Sequence, residues 1–359
     1  PVVVEEVQAS LSQGMLFVTP SPTATDAAER ICKRFGIDQV RFTNSGTEST
    51  MYAVRVARAA TDKPGILKVE GGYHGSYDPF VVSAKPPLDL AGDPNEPNAV
   101  IDSTLAPGDI YVVPFNNLPA LEKMFAERAD KIACFIVEPV LENLAIILPD
   151  AGYLEAVREL CDKYKVVLIF DEVKTGLTAG AHGASARLGV KPDLITLAKS
   201  IGGGLPLAAF GGKKEFMDFV TNGKMAHFGT FNGNPLAMAG VRAIDRICSD
   251  RALEVAEEFN LQALTRIGEI IDEYQLPAHT VGFGVKGCVT WSTTPVRNYR
   301  DYKATDFGVA EAHWLFAINR GIVTPPGLDE QWLISLAHGQ TEIDMLVEDF
   351  REFAKALRS

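Results

Sequence analysis

Short apolar segments alternate with helical segments through the first two thirds of the chain, and this alternation constrains the fold more than any other feature. It is typical of an α/β domain with a mostly parallel sheet. Because the apolar segments have few polar interruptions, we expect helices on both faces of that sheet. The predicted strands are Val40–Thr43, Ile66–Val69, Ile110–Val113, Ile132–Val137, Val166–Phe170, Leu194–Leu197 and Leu207–Gly211. The helices predicted between them are Ala24–Phe35, Thr47–Ala60, Leu118–Arg128 and Gly152–Tyr164.

The pattern changes near Asp250, where helices become longer and strands fewer. We therefore expect a large α/β domain over residues 21–248 and a small α+β domain over residues 249–359. The elements predicted for the small domain are a helix over Ala252–Tyr274, a strand pair within Thr280–Trp291, a helix over Asp306–Asn319, short strands near Gly321–Thr324 and Trp332–Leu336, and a last helix over Thr341–Leu357.

Two segments differ from this pattern. The chain begins at Pro1 inside a helical pattern and has no initiator Met, so we expect residues 1–20 to be the remnant of an N-terminal segment. The proline-rich segment Ala84–Pro107 has few periodic positions, which predicts a long surface loop. Loops of this length often act as lids.

Composition narrows the functional class. The formal net charge of −12 argues against a general nucleic-acid binder, which requires a basic face. The sequence has no run of about 18 apolar residues, so no membrane span is predicted, and without a visible signal peptide we expect a cytoplasmic protein. The cysteines form no C-x-x-C pair and fit no metal motif, so we expect reduced, buried thiols and no metal site. They are Cys32, Cys134, Cys161, Cys248 and Cys288.

The segment Asn44–Glu48 follows a predicted strand and opens a predicted helix. Hydroxyl residues and a glycine at a helix start leave backbone N–H groups free, and together with the helix dipole these groups bind phosphate. The alternative is an ordinary capping box, with Ser45 or Thr47 as the N-cap and Glu48 in the first turn. Both interpretations are open at this point.

The segment Glu70–Asp78 turns through two glycines directly after a predicted strand and presents Tyr73 and His74. In open α/β sheets, ligands bind at the carboxyl ends of the strands. An aromatic side chain there could stack on a flat ring. A purely structural role for the two residues is the alternative.

Asp171 and Glu172 follow the apolar strand Val166–Phe170. An acid at such a strand end commonly binds a metal, a ribose hydroxyl or a protonated nitrogen. Because no further ligands lie nearby in the sequence, a metal is only one of these options. A helix cap is a further alternative.

Lys199 also ends a predicted strand and is followed by the glycines Gly202–Gly204. We therefore expect it at the same sheet edge as Asp171. A partly desolvated lysine has a lowered pKa and becomes a nucleophilic amine. The residue order of a P-loop is absent, and the alternative is a surface charge at a strand end.

Together these motifs supply a phosphate cup, a stacking ring, an acid and an amine, which are the four parts that pyridoxal 5′-phosphate (PLP) requires. The motifs FTNSGTE, GGYHG, FDEVKTG, ITLAKSIGGG and AHFGTFNGNP resemble those of the class III aminotransferases, fold type I PLP-dependent enzymes. Within that family the chain is most similar to the glutamate-1-semialdehyde aminomutase branch. The resemblance implies a mostly parallel central sheet with helices on both faces, plus a smaller C-terminal α+β domain.

The resemblance also implies a role for each motif position. Lys199 would form a Schiff base with PLP, Asp171 would pair with the pyridine nitrogen, and Tyr73 would stack on the ring. The other cofactor contacts that it implies are Ser45, Gly46, Thr47, His74, Glu138, Asn143, Val173 and Thr230. Thr230 would reach the phosphate of the partner subunit, which implies a homodimer with shared active sites. A looser match places Glu330 at the substrate.

The implied activity is transfer of an amino group from an amine or amino acid to a keto acid. The alternatives are an intramolecular aminomutase of the glutamate-1-semialdehyde type, a racemase or a decarboxylase, because the same parts serve each. A nucleotide-binding module in which Lys199 is a surface charge is the alternative outside this chemistry. The chain departs from the family at Leu177 and Thr178, where Phe and Arg are frequent, and at Glu142, where small residues are usual.

Overall fold

The computed structural model describes residues 1–17, 19, 21–101, 108–325 and 331–359. Its strands are β1 (Gln39–Thr43), β2 (Gly65–Val69), β3 (Gly92–Asp93), β4 (Glu96–Pro97), β5 (Ile110–Val113), β6 (Ile132–Val137), β7 (Val167–Asp171), β8 (Leu194–Leu197), β9 (Ala208–Gly212), β10 (His279–Phe283), β11 (Lys286–Thr290) and β12 (Trp332–Leu333). Its helices are α1 (Val2–Leu11), α2 (Pro22–Phe35), α3 (Gly46–Thr61), α4 (Asp78–Val81), α5 (Leu118–Arg128), α6 (Tyr153–Tyr164), α7 (Thr175–Thr178), α8 (Gly183–Leu188), α9 (Lys214–Thr221), α10 (Pro235–Ile247), α11 (Asp250–Glu273), α12 (Tyr299–Lys303), α13 (Phe307–Asn319) and α14 (Gln340–Arg358).

A seven-stranded sheet forms the centre of the molecule, with the strand order β1-β9-β8-β7-β6-β2-β5. Strand β9 runs antiparallel to both β1 and β8, and the strands from β8 to β5 are parallel to one another. The predicted mostly parallel sheet is therefore confirmed. Asp171 of β7 pairs with Thr196 of β8, so these two strands end at the same edge of the sheet.

Helices cover both faces of this sheet, as the apolar strands predict. In β6, Phe135 packs in one core cluster with residues of α5 and α6. Its neighbour Ile136 points to the opposite face and packs with Ala53 and Val54 of α3. Each fully buried side chain of this size contributes about 1.5–3 kcal/mol to folding, and this two-sided packing fixes the strand register.

A second, antiparallel sheet, β10-β11-β12, lies in the C-terminal part of the chain. The long helices α11 and α14 share a core with it, in which Ile267 and Phe350 are buried. The strand predicted near Gly321–Thr324 is wrong. The Ile322 N–H donates to the Ala317 carbonyl (2.9 Å) and the Thr324 carbonyl accepts from the Trp314 indole (3.1 Å), so this backbone pairs with α13 instead of a strand. The division at residue 248 stays a prediction.

Helix α10 was not predicted, although its start carries a clear signal. The Asn234 side chain accepts the Ala237 N–H at 3.0 Å, and proline occupies the first helical position. Gly240 lets this helix approach the short 3₁₀ helix Lys199–Gly202, because a Cβ at Gly240 would lie 2.5 Å from the Gly202 carbonyl oxygen. Helix α10 therefore supports the segment that begins at Lys199.

The described part of the segment Ala84–Pro107 contains the small antiparallel ribbon β3–β4, and residues 102–107 lie outside the described ranges. All five cysteines are free, and only Cys32 among them is not fully buried. Within the described ranges, no helix combines the length and the apolar character needed to cross a membrane.

Candidate active site

A cleft of about 290 Å³ opens at the carboxyl edge of the parallel strands. The structure brings most of the predicted site residues together along its walls, namely Ser45, Gly46, Thr47, Tyr73, His74, Glu138, Asn143, Asp171, Val173 and Lys199. Thr230 is not among the residues that line it and lies in the exposed segment 228–231. Glu330 lies outside the described residues, so its role stays a prediction.

One end of the cleft is the N-terminus of α3. Ser45 is the N-cap, and its hydroxyl oxygen accepts the Glu48 N–H at 3.2 Å. The Glu48 carboxylate reaches back to the Asn44 N–H at 2.6 Å. In the described parts of the chain, the Gly46 and Thr47 N–H groups have no protein acceptor. The cap and the anion cup therefore coexist, because capping uses the later N–H groups and leaves the first two free.

The loop after β2 closes against this helix start. Gly75 has φ +104°, and a Cβ there would lie 2.5 Å from the Thr47 hydroxyl oxygen. The Thr47 hydroxyl accepts the Ser76 N–H at 3.2 Å, and the Thr50 hydroxyl donates to the His74 carbonyl at 2.7 Å. Glycine at position 75 is thus required by both the backbone angle and the close approach.

Val173 forms part of the cleft wall beside the cup. A Cβ at Gly46 would lie 3.2 Å from a methyl group of Val173 and 3.7 Å from the Ala198 Cβ. Tyr73 lines the same cleft, and 41% of its surface is exposed. The cleft therefore offers an aliphatic wall and an accessible aromatic ring, the kinds of surface that hold a flat heterocycle.

Asp171, the last residue of β7, is buried and held by three donors. His74 Nδ1 lies 2.7 Å from one carboxylate oxygen, while the Thr196 hydroxyl (3.0 Å) and the Val173 N–H (3.1 Å) donate to the other. Burial lowers the pKa of His74, so the imidazole is neutral and donates its Nδ1 proton. These three contacts hold the Asp171 carboxyl group in a fixed orientation.

Lys199 follows β8 and begins the 3₁₀ helix with φ +51°, a left-handed angle that is costly for a lysine. Strain of this kind clusters at functional sites. The side chain opens to solvent through the cleft, but protein atoms crowd the amine enough for reduced hydration to lower its pKa. Asp171 and Glu138 oppose this shift by favouring the ammonium form.

Glu138 organises the side of the cleft after β6. One of its oxygens accepts from the Asn143 amide (2.8 Å) and the Glu142 N–H (3.1 Å), and the other accepts the Tyr73 N–H at 3.4 Å. Burial, reinforced by Asp171, raises the pKa of Glu138 to about 7. Glu138 thus connects the ring-stacking candidate Tyr73 with Asn143.

Three charged residues beside this group have no predicted role in the site, namely Lys174, Glu142 and Lys286. The Lys174 ammonium lines the cleft and donates to the Glu142 carbonyl at 2.7 Å. The Glu142 carboxylate is fully buried and pairs with the Lys286 ammonium at 2.6 Å. The sequence signal for Lys174 is its place directly after the DEV motif, and the signal for Glu142 is its place at a position of small residues. Neither signal indicates that Lys286 belongs to the group.

These residues fit PLP. The free N–H groups of the cup suit a phosphate, the fixed carboxylate of Asp171 suits a protonated ring nitrogen, and the amine of Lys199 suits an aldehyde. The donors and acceptors around the cleft match the polar atoms of this cofactor.

Comparison with known proteins agrees with this fit. The family model for Aminotransferase class-III matches residues 1–300. The glutamate-1-semialdehyde 2,1-aminomutase of Syntrophobacter fumaroxidans is 35% identical over 354 residues, which cover 97% of this chain and 80% of the relative.

Solved structures give the same result. An ω-transaminase from Sphaerobacter thermophilus superimposes with a TM-score of 0.95 at 30% identity and covers 100% of this chain and 84% of its own. A transaminase with PLP bound superimposes with a TM-score of 0.88 at 29% identity, over 99% of this chain and 82% of its own. The chain therefore belongs to the class III aminotransferases and is a PLP-dependent enzyme of that family.

Proposed function

We propose that this enzyme transfers an amino group from an amine or amino acid to a keto acid, with Lys199 as the catalytic amine. The observation that carries the proposal is the convergence of Lys199, Asp171 and the free N–H groups of Gly46 and Thr47 in one cleft. An amine, a carboxylate and an anion cup have no common structural task at a sheet edge, whereas PLP chemistry requires all three.

Ser45, Gly46 and Thr47 would hold the phosphate of the cofactor, and Tyr73 and Val173 would hold its ring. When bound, PLP supplies an aldehyde that joins amines and a cationic ring that withdraws electrons. Asp171 would stabilise the protonated ring nitrogen, because His74 and Thr196 keep its carboxylate oriented. Glu138 and Asn143 would complete the wall on the opposite side.

Lys199 would move the proton. Its amine, with a pKa lowered by reduced hydration in the cleft, would accept a proton from the substrate carbon that carries the nitrogen. The same amine would then deliver the proton to the cofactor carbon that carried the aldehyde, so one group would act as base and acid. Positioned acid–base catalysis of this kind contributes about 10²–10⁴-fold to the rate.

The functional unit would be a homodimer. The segment that carries Thr230 exposes two large aromatic side chains, Phe228 at 85% and Phe231 at 60%. Exposed apolar residues of this size are typical of surfaces that become buried by association. A second copy of the chain would cover them and would bring Thr230 to the phosphate of the partner subunit.

The unpaired thiols favour a reducing compartment, and we propose a cytoplasmic location. Buried thiols are protected from oxidation by their surroundings, and burial raises the pKa of Cys134 to about 12. Fractionation of the native host would test this placement.

An intramolecular aminomutase is the second candidate, because the relative from Syntrophobacter fumaroxidans carries that name. The two reactions differ in stoichiometry. A transaminase requires a separate keto acceptor and releases a second product, whereas an aminomutase converts one substrate into its isomer. Turnover of an amine-donor panel with and without pyruvate or 2-oxoglutarate separates them.

Borohydride trapping tests the central claim. Reduction of the PLP-loaded enzyme should fix the cofactor on the peptide that contains Lys199, as read by mass spectrometry. Lys199→Ala should abolish the adduct and turnover, whereas Lys191→Ala, which removes an exposed lysine before β8, should change neither. A cofactor adduct at another lysine, or turnover that survives Lys199→Ala, would contradict the proposal.

A further inference from the structure

Lys174 is a partly buried cation that has no ion-pair partner among the residues that the structure describes. Its ammonium lines the same cleft as Lys199 and donates one hydrogen bond, to the Glu142 carbonyl at 2.7 Å. An ammonium group has three N–H donors. Two of them are therefore available to a ligand in the cleft.

The two acidic residues beside Lys174 are already engaged. The Glu142 carboxylate binds the Lys286 ammonium at 2.6 Å, with both side chains buried. Glu138 accepts from the Asn143 amide and the Glu142 N–H, and its pKa is raised to about 7, so it carries only part of a negative charge at neutral pH. Both residues favour the charged form of Lys174 from a distance, but neither forms an ion pair with it among the described residues.

A partly buried cation without a counter-ion is unfavourable. The pKa of Lys174 is lowered, first by burial and then by the neighbouring charge of Lys286. An anion entering the cleft would relieve both effects, because it would pair with the ammonium and favour its charged form. The site is thus electrostatically complementary to an anionic group of a ligand.

The strand order indicates which anion this is. The phosphate cup follows β1, Lys199 follows β8, and Lys174 follows β7, so Lys174 lies beyond Lys199 when the sheet is followed from the cup. The cofactor phosphate, held at the cup, is therefore not its partner. Two further anions take part in an amino-transfer reaction, the ring oxygen of the cofactor and a carboxylate of the substrate. The Asn143 amide lines the cleft and can serve the ring oxygen, which leaves the carboxylate for Lys174.

We propose that Lys174 binds the carboxylate of the substrate and so makes the enzyme selective for amino acids and keto acids over amines without a carboxylate. This inference rests on the proposed aminotransferase function. Lys174 is then a specificity-determining residue that contacts the substrate, while Lys199 carries out the proton transfer. The buried Glu142–Lys286 pair keeps the Glu142 carbonyl, and with it the Lys174 ammonium, in place.

The test measures ligand binding as well as turnover, on the full-length, PLP-loaded enzyme. The probes are propionate and glutarate, which have carboxylates but no exchangeable nitrogen or carbonyl, and their dissociation constants are measured by calorimetry. The variants are Lys174→Met, Lys174→Arg and Lys191→Met, the last a control at an exposed lysine that precedes β8 and does not line the cleft. Thermal melting and the visible cofactor band check that each variant is folded and loaded.

We expect Lys174→Met to weaken binding of at least one probe by about tenfold or more, as for loss of a charged hydrogen bond. Lys174→Arg and Lys191→Met should remain within about threefold of the parent enzyme. In turnover, Lys174→Met should raise the KM of amino-acid donors by a larger factor than the KM of isopropylamine, which has no carboxylate.

Equal probe affinity in the parent and Lys174→Met would overturn the inference, as would failure of the parent to bind either probe. It would also be overturned if Lys174→Met changed the pH titration of the visible band and left the probe affinities unchanged, because Lys174 would then serve the cofactor ring. A failure of the proposed function gives a different result: the parent would have no visible band and borohydride would trap no adduct.

Discussion

His74 Nδ1 lies 2.7 Å from a carboxylate oxygen of Asp171, and both side chains are almost completely buried. The two residues come from different strand ends, β2 and β7, and His74 Nε2 has no hydrogen-bond partner in the described parts of the chain. Because the neutral imidazole donates to the Asp171 carboxyl group, it fixes the orientation of that group without placing a positive charge beside it. This arrangement suits an acid whose task is to stabilise a cation in the cleft.

Asp171→Asn should lower kcat/KM by about 10²–10³-fold, the range for removal of one preorganised electrostatic group. The amide has nearly the same shape, so the effect comes from loss of charge. Thr196→Val is the matched control, because it removes one hydrogen bond from an uncharged donor to the same carboxyl group and should lower kcat/KM by less than about tenfold. Steady-state kinetics check both, and an Asp171→Asn enzyme within tenfold of the parent would contradict the assigned role.

The Glu142–Lys286 pair should behave as a coupled buried unit. Glu142→Gln leaves the Lys286 ammonium buried without its partner and should lower the free energy of unfolding by about 3–5 kcal/mol. Adding Lys286→Met should recover much of this loss, because no isolated charge remains. Urea unfolding of both single variants and the double variant measures the coupling energy, and additive effects would show that the pair is not a unit.

His313 should make the protein less stable in acid. It packs against Trp291, Phe350 and Phe353 and is partly buried, and burial of its ring lowers its pKa to about 4, against about 6.5 in the unfolded chain. The unfolded state therefore binds this proton first as pH falls. The stabilisation is complete above pH 6.5 and is lost between about 6.5 and 4, on the order of 3 kcal/mol.

His313→Phe retains the aromatic packing and removes the titration. Its free energy of unfolding should therefore depend less steeply on pH between 6.5 and 4 than that of the parent, as measured by urea unfolding at several pH values. Parallel pH profiles for the two proteins would contradict the assignment to His313.

Gly75→Ala should weaken cofactor binding. Its Cβ would meet the Thr47 hydroxyl at 2.5 Å with φ at +104°, so the phosphate cup has to shift. We expect the dissociation constant of PLP, measured by absorbance, to rise by about tenfold or more, equivalent to about 1.4 kcal/mol.

Gly189→Ala is the control for backbone strain alone, because Gly189 has φ +72° and open space around its Cβ position. It should lower the free energy of unfolding by about 1 kcal/mol and leave the PLP affinity unchanged. Equal PLP affinities in the Gly75→Ala variant and the parent would show that the cup tolerates the shift.

The sheet could be predicted closely from the sequence because its strands are buried on both faces and read as apolar runs. Strands β5, β6 and β8 have the predicted bounds, and β7 is shifted by one residue, to Val167–Asp171 instead of Val166–Phe170. The direction of β9 could not be predicted, because an apolar segment next to a glycine-rich turn looks the same in either orientation. Helix α10 was not predicted because the motif GNP was used only as evidence of the family. The same motif contains the N-cap Asn234 and the first-turn proline, which signal a helix start.

The site could be predicted where a polar or aromatic side chain stands at or just after the end of a strand. This is the case for Ser45, Tyr73, Asp171 and Lys199. The charged group behind it was not, because Glu142 and Lys286 are separated by 144 positions and meet only through packing of the C-terminal sheet against the loop after β6. A salt bridge between such distant residues leaves no local pattern. Lys174 directly follows the DEV motif and can be noticed from the sequence. That it forms no ion pair among the described residues can be seen only from the three-dimensional arrangement of its neighbours.

The Glu142–Lys286 bridge also limits how the protein can be recombined. A chimaera joined at residue 248 would take its loop from one parent and its β11 from another. If the second parent lacked a lysine at the position of Lys286, the chimaera would bury the Glu142 carboxylate beside the cleft without its ion-pair partner. Crossovers in this lineage should therefore keep both halves of the bridge from a single parent.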